Sequence, residues 1–117
     1  MIVALEEAKY NLNEMRGQVK ELGSALRIDE TREKAAELEK QTYAEDFWND
    51  QENSSKILQK VKQLKDRVEE YEKLAHKLED AITLAEMAIE ENDDSMLDEL
   101  VEGYKSLEEE MEKERLE

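Results

Sequence analysis

The sequence predicts an all-α protein, an antiparallel bundle of three long helices and one short helix with coiled-coil-like packing. Charged residues make up 43% of the chain and aromatic residues only 5%, and there is no proline. This composition is typical of long helices. Apolar residues recur with alternating spacings of three and four, which marks a helix with one buried face. Because such a helix has no core of its own, neighbouring segments must cover that face, and 117 residues predict one domain over 1–117.

The first two helices are predicted at about residues 3–27 and 30–42. The apolar stripe of the first helix is Leu5, Ala8, Leu12, Met15, Val19, Leu22 and Leu26. The second helix has a thinner face, for which Ala35, Leu38 and Thr42 are the candidates. Asp29 is the predicted N-cap of this helix, with Glu30 in its first turn.

An aromatic segment follows at residues 43–50 and contains Tyr43, Phe47 and Trp48. Because aromatic side chains bury large areas, we expect Phe47 and Trp48 to anchor this loop to the bundle. A binding site at the same aromatic residues is the alternative. Asn49, with Glu52 three residues later, is the predicted N-cap of the next helix.

The third helix is predicted from Asp50 to Glu91 and is the element that the others must cover. Its stripe is Ile57, Val61, Leu64, Val68, Tyr71, Ala75, Leu78, Ile82, Ala85 and Ile89. Asn92 suits its C-terminus, and Ser95 with Asp98 is the predicted start signal of the last helix, about 95–116. The stripe of that helix is Leu97, Leu100, Tyr104, Leu107 and Met111, widened by Val101 and extended by Leu116.

The residues give no support for an enzyme or a cofactor site. The chain has no cysteine and one histidine, His76, which lies off the apolar stripe. The three glycines are isolated, so no phosphate-binding loop is present. We therefore expect no catalytic residue, metal, cofactor or small-molecule ligand. No apolar run is long enough for a bilayer, so we expect a cytoplasmic protein without a membrane partner.

A local basic cluster contrasts with the net charge of −16. It consists of Lys56, Lys60, Lys62, Lys65 and Arg67, with Asp66 as its one acid. Helical spacing places Lys56, Lys60 and Arg67 on one side. These charges either pair with acidic neighbours such as the last helix, the commoner state of surface charges, or contact RNA or an acidic protein.

Two segments resemble a known family when they are read together. The sequence DFWND at residues 46–50, after a short Glu- and Lys-rich helix, is similar to the loop in the N-terminal domain of the bacterial peptide chain release factor 2 family. The sequence LAEMAIEENDD at residues 84–94 resembles the apolar helix end and acidic turn of the same domain. The order of elements also matches this branch of the class I release factors.

The resemblance implies a ribosome-docking domain of a translation termination factor. Members of the family promote peptidyl-tRNA hydrolysis on the ribosome at UGA and UAA codons, through a Ser-Pro-Phe motif and a Gly-Gly-Gln motif. Neither motif occurs in this sequence, so we expect a domain truncated before the codon-reading and catalytic domains. The implied partners are the stalk base of the large ribosomal subunit and the partner GTPase release factor, with Lys56, Lys60 and Arg67 as candidate ribosome contacts. The alternative is a generic coiled-coil adaptor or scaffold.

Overall fold

The computed structural model describes residues 2–116, which form four α-helices and no strand. The helices are α1 (Ile2–Ala25), α2 (Ile28–Gln41), α3 (Gln51–Glu91) and α4 (Leu97–Arg115). Single 3-10 turns lie at Phe47–Asn49 and Asp94–Met96. The predicted fold class, with three long helices and one short one, is confirmed. None of the helices within residues 2–116 combines the length and apolar character needed to cross a membrane.

The described chain is organised as two compact units. One unit takes in the chain up to Leu22 and from Glu72 onward, and the other runs from Gly23 to Tyr71. Helices α1 and α3 therefore contribute residues to both units. The prediction of one domain over 1–117 stays a prediction.

In the first unit, α1 and α3 run antiparallel. Lys9 Nζ lies 3.6 Å from a Glu86 carboxylate oxygen, and the Arg16 guanidinium donates two hydrogen bonds, of 2.6 and 2.8 Å, to the Glu79 carboxylate. Since residue numbers rise along one helix as they fall along the other, the two helices run in opposite directions. The bond from Arg16 holds the pKa of Glu79 below its usual value because it stabilises the charged carboxylate.

Helix α4 packs on the same part of α3, which widens the buried face of that helix. The Lys77 ammonium donates hydrogen bonds to Ser106 Oγ at 2.7 Å and to Glu110 Oε1 at 2.9 Å. With two helices against it, α3 buries Leu74 and Ala88 to 2% exposure, in addition to Leu78, Ile82 and Ala85 of the predicted stripe. Ala75 and Ile89, also predicted on the stripe, are only half-buried. A single alternating stripe could not reveal Leu74 and Ala88 because it describes packing against one partner.

Two predictions about the width and length of the α4 stripe are wrong. Val101 is 42% exposed and Leu116 is 80% exposed, whereas Glu114 is 5% exposed. The spacing of three and four that runs through Leu107 and Met111 leads next to position 114. Position 116 points about 140° away from Met111, so its apolar side chain lies off the buried face.

In the second unit, α2 packs on the first part of α3. Its apolar core is formed by Ala35, Leu38, Val61 and Leu64, with Ile57 packed against it. An ion pair between Lys65 and Glu39 also joins the two helices. Thr42, predicted on the buried face, is only half-buried, and its hydroxyl donates to the Glu39 carbonyl at 2.6 Å.

The start of α2 differs from the prediction that Asp29 is its N-cap. The helix begins at Ile28, which is 3% exposed, and Asp29 lies inside the first turn. The residue before it, Arg27, has a left-handed backbone with φ of 54°. The Thr31 hydroxyl donates to the Arg27 carbonyl at 2.8 Å. Because Ile28 is buried, α2 starts earlier in the sequence than predicted. Capping rules that use the sequence alone cannot anticipate this shift.

The N-cap of α3 is Asp50 and the prediction of Asn49 is wrong by one residue. The Asp50 carboxylate accepts a hydrogen bond from the Asn53 N–H at 3.2 Å, and Asn49 belongs to the preceding 3-10 turn. This register places Ser54 inside, at 3% exposure. Asp and Asn are equivalent as capping residues, so the sequence cannot choose between neighbours.

The far end of α3 confirms the prediction for Asn92. Its φ is 53°, and its N–H donates to the Ile89 carbonyl at 3.1 Å while the Asp93 N–H donates to the Ala88 carbonyl at 2.9 Å. These two bonds form a Schellman motif, which satisfies the last carbonyl groups of the helix.

The start signal predicted at Ser95 is wrong. Asp93 caps the turn that leads into α4, and its carboxylate accepts from the Ser95 N–H at 3.0 Å and from the Ser95 hydroxyl at 2.6 Å. Ser95 is therefore the donor to the cap, and α4 itself begins at Leu97. Asp93 reaches these donors because the Schellman motif ends α3 immediately before it.

Candidate interaction surface

The aromatic loop between α2 and α3 places its two candidate anchors differently. Phe47 is 7% exposed, whereas Trp48 is 61% exposed and Tyr43 is 75% exposed. The rings of Phe47 and Trp48 meet edge to face, with centroids 4.9 Å apart and planes at 88°. The 3-10 turn explains this difference because neighbouring side chains on a helical turn point about 120° apart. The anchoring role of this pair stays a prediction, and only Phe47 has the burial of an anchor.

The basic cluster lies on α3 and has two sides with different partners. On one side, Lys62 pairs with Asp66 one turn later on α3, with 2.8 Å between Nζ and the carboxylate oxygen, and Lys65 pairs with Glu39 of α2. These hydrogen bonds raise the pKa values of both lysines because they stabilise the charged ammonium groups. The charges of Lys62 and Lys65 are thus compensated by neighbours.

The other side carries the three residues singled out from the sequence. Lys56 lies 3.6 Å from Glu52, and both side chains are largely exposed, at 74% and 83%. Lys60 Nζ reaches only the Gln63 side-chain oxygen, at 3.5 Å. The Arg67 side chain is exposed and forms no hydrogen bond or ion pair with another side chain of the described residues. The structure therefore leaves these cations available to an external partner.

Two glutamines join this side, which the sequence analysis missed. An open surface depression of about 370 Å³ is lined by Lys56, Gln59, Lys60 and Gln63. The spacing of Gln63 from Lys56 and Lys60 is the signal that would have revealed Gln63, since residues three and seven positions apart share a helix face. Ammonium and amide N–H groups at one depression can hydrogen-bond an anionic group.

Other residues of chemical interest are not brought together. His76 is exposed on α3. Across residues 2–116, no group of histidine, aspartate or glutamate side chains is arranged to hold a metal ion. The arrangement that the described chain offers is thus a polar, positively charged helix face for binding.

Comparisons with known proteins identify a family. The family model described as the PCRF domain matches residues 31–117. Peptide chain release factor 2 of Clostridium perfringens is 31% identical over 111 residues, which cover 95% of this chain and 30% of that protein. The Exiguobacterium protein of the same name is 30% identical over 106 residues, with 91% and 29% covered. That of Rickettsia bellii is 38% identical over 72 residues, with 62% and 20% covered.

The chain therefore spans less than a third of the length of the curated relatives that it matches. No solved structure matches it at a significant level.

Proposed function

This chain belongs to the PCRF domain family, and from that premise we propose that it is the N-terminal, ribosome-docking domain of a translation termination factor. The observation that carries the proposal is the family match over residues 31–117, together with similarity to release factor 2 proteins over most of the chain. In the full protein, the activity would be peptidyl-tRNA hydrolysis on the ribosome at UGA and UAA codons.

In the full protein, the role of this domain would be to bind the ribosome. We propose the stalk base of the large ribosomal subunit and the partner GTPase release factor as partners, and the cytoplasm as the location. Lys56, Lys60 and Arg67 are the proposed ribosome contacts, which their exposure and lack of strong ion pairs support. The comparisons lend no support to the alternative of a generic coiled-coil adaptor or scaffold.

A competition experiment on ribosomes tests the proposal. Ribosomes carrying peptidyl-tRNA at a UGA codon are mixed with a full-length release factor 2, and the 117-residue chain is added in increasing amounts. We expect the release rate to fall as the chain occupies the docking site, and we expect the chain alone to release no peptide.

An acidic coiled-coil protein of similar length serves as the control and should not compete. The proposal is wrong if the chain slows peptide release no more than this control does. It is also wrong if the chain neither sediments with ribosomes nor competes with the release factor.

A further inference from the structure

One face of α3 in the second unit presents a polar stripe, which we call the Lys56–Arg67 stripe. It consists of Lys56, Lys60, Gln63 and Arg67, at helical offsets of zero, four, seven and eleven residues. At 100° per residue these positions fall within an arc of about 60°, and at 1.5 Å per residue they extend over about 16 Å. Because the residues sit on one continuous helix, their charges are held in a fixed, nearly linear array.

The stripe carries positive charge and has no acidic member of its own to neutralise it. Residues 53–65 contain four lysines and no aspartate or glutamate, although the chain has 33 acidic residues. Two of these lysines, Lys62 and Lys65, are compensated by Asp66 and Glu39. The stripe lies on the other side, where the acidic residues of α3 nearest to it are Glu52, which pairs with Lys56, and Glu70.

The side chains of the stripe match a nucleic-acid backbone better than a protein surface. Protein interfaces have an apolar centre with aromatic anchors, and the stripe has no apolar residue. The nearest exposed apolar side chain along the helix, Leu58, points about 160° away from Lys56. Lysine, arginine and glutamine are among the residues that contact phosphate oxygens in nucleic-acid complexes. Since no aromatic residue interrupts the stripe, it offers no platform on which single-stranded bases could stack.

From this geometry we infer that the Lys56–Arg67 stripe binds the phosphate backbone of double-helical RNA. The inference rests on the proposed function and gives its docking surface a chemical class of partner. Lys56 and Lys60 contact successive phosphates of one strand from the open depression, Gln59 and Gln63 donate hydrogen bonds beside them, and Arg67 contacts a phosphate farther along the groove.

A salt titration with matched variants tests the inference. The 117-residue chain is titrated against a fluorescent RNA hairpin at a series of salt concentrations, and anisotropy gives the affinity. Three cation–phosphate contacts predict a slope of log affinity against log salt of about −3. The variant Lys56→Gln/Lys60→Gln should reduce that slope by about 2 and Arg67→Gln by about 1, with affinity falling at least several-fold at low salt.

The matched control is Lys62→Gln/Lys65→Gln, which makes the same change in net charge on the opposite side of the same segment. We expect it to leave the slope unchanged. Circular dichroism and thermal unfolding of each variant exclude loss of the helix as the cause. The inference would be overturned if both lysine-pair variants lost affinity and salt slope equally. Equal losses would indicate only a long-range effect of net charge. The inference would also be overturned if single-stranded RNA or polyglutamate bound as tightly as the hairpin.

The ribosome competition experiment separates this inference from the proposed function. If the wild-type chain and Lys56→Gln/Lys60→Gln compete equally well on ribosomes, the inference fails and the docking function stands. If the hairpin distinguishes the two lysine pairs but the chain does not compete on ribosomes, the docking function fails and the RNA surface stands.

Discussion

Gly23 of α1 lies directly against the phenol ring of Tyr71 of α3. A Cβ atom at Gly23 would come within 2.5 Å of the Tyr71 hydroxyl oxygen and 2.8 Å of the ring carbon that bears it. The second unit therefore brings two helices together at a position where only a hydrogen atom fits. A glycine inside a helix costs stability, so its presence here has a packing reason.

We predict that Gly23→Ala destabilises the protein by about 1–2 kcal/mol, since the strain of overpacking exceeds the gain in helix propensity. The matched control is Gly17→Ala in the same helix, where a Cβ atom would meet nothing within 4 Å. That variant should be more stable by about 0.5–1 kcal/mol. Urea unfolding followed by circular dichroism measures both, and stabilisation by both substitutions would show that Tyr71 moves aside freely.

A second prediction concerns Arg27, whose φ of 54° is unfavourable for a residue with a Cβ atom. Arg27→Gly should stabilise the protein by about 1 kcal/mol because glycine adopts this conformation without strain. Arg27→Ala keeps the strain and removes the exposed pairing with Glu30, whose atoms are 3.9 Å apart, so we expect little change. Thermal unfolding compares the two variants, and a loss of stability in Arg27→Gly would contradict the assigned backbone conformation.

A third prediction separates the roles of the two aromatic residues in the loop. Phe47→Ala should cost about 3–5 kcal/mol, since Phe47 is 7% exposed. Trp48→Ala should cost less than about 1.5 kcal/mol because Trp48 is 61% exposed and its edge-to-face contact with Phe47 contributes little by itself. Equilibrium unfolding of both variants measures the difference. Equal costs would mean that Trp48 anchors the loop as strongly as Phe47 does.

A fourth prediction concerns pH and the turn between α3 and α4. The Ser95 hydroxyl and N–H stabilise the ionised Asp93 carboxylate and hold its pKa below the usual value. The resulting stability is present above the pKa of the unfolded chain, about 3.9, and is lost as the pH falls through the lower folded pKa. Ser95→Ala should move the Asp93 pKa part of the way back, because the backbone N–H remains.

Carboxyl carbon chemical shifts, followed by NMR between acid and neutral pH, measure the pKa of Asp93. Ser95→Thr retains a hydroxyl and should preserve the low pKa, which makes it the control. An unchanged Asp93 pKa in Ser95→Ala would show that the hydroxyl is not a significant donor.

The candidate surface was only partly readable from the sequence. Spacing identified Lys56, Lys60 and Arg67 as one side of α3, because this depends on the helix period alone. It could not say which lysines are compensated, since the partner of Lys65 is Glu39 on a different helix. The sequence interpretation considered the last helix as a source of acidic partners, and the partners that the structure gives are Glu52, Asp66 and Glu39.

The sequence by itself determined the number and order of the helices and most of their buried faces. A three-four apolar repeat without proline leaves few alternatives to a long helix with one covered side. Asn92 was also identifiable, since asparagine tolerates the left-handed backbone that ends α3.

Tertiary structure decided what depends on contact with a second element. Leu74 and Ala88 are buried because α3 has two neighbours there, and Glu114 is buried while Leu116 is exposed because position in the helix outweighs polarity. The start of α2 is shifted for the same reason, since Ile28 is buried. Local rules describe a single helix, and which residues another helix covers is fixed only when the two pack together.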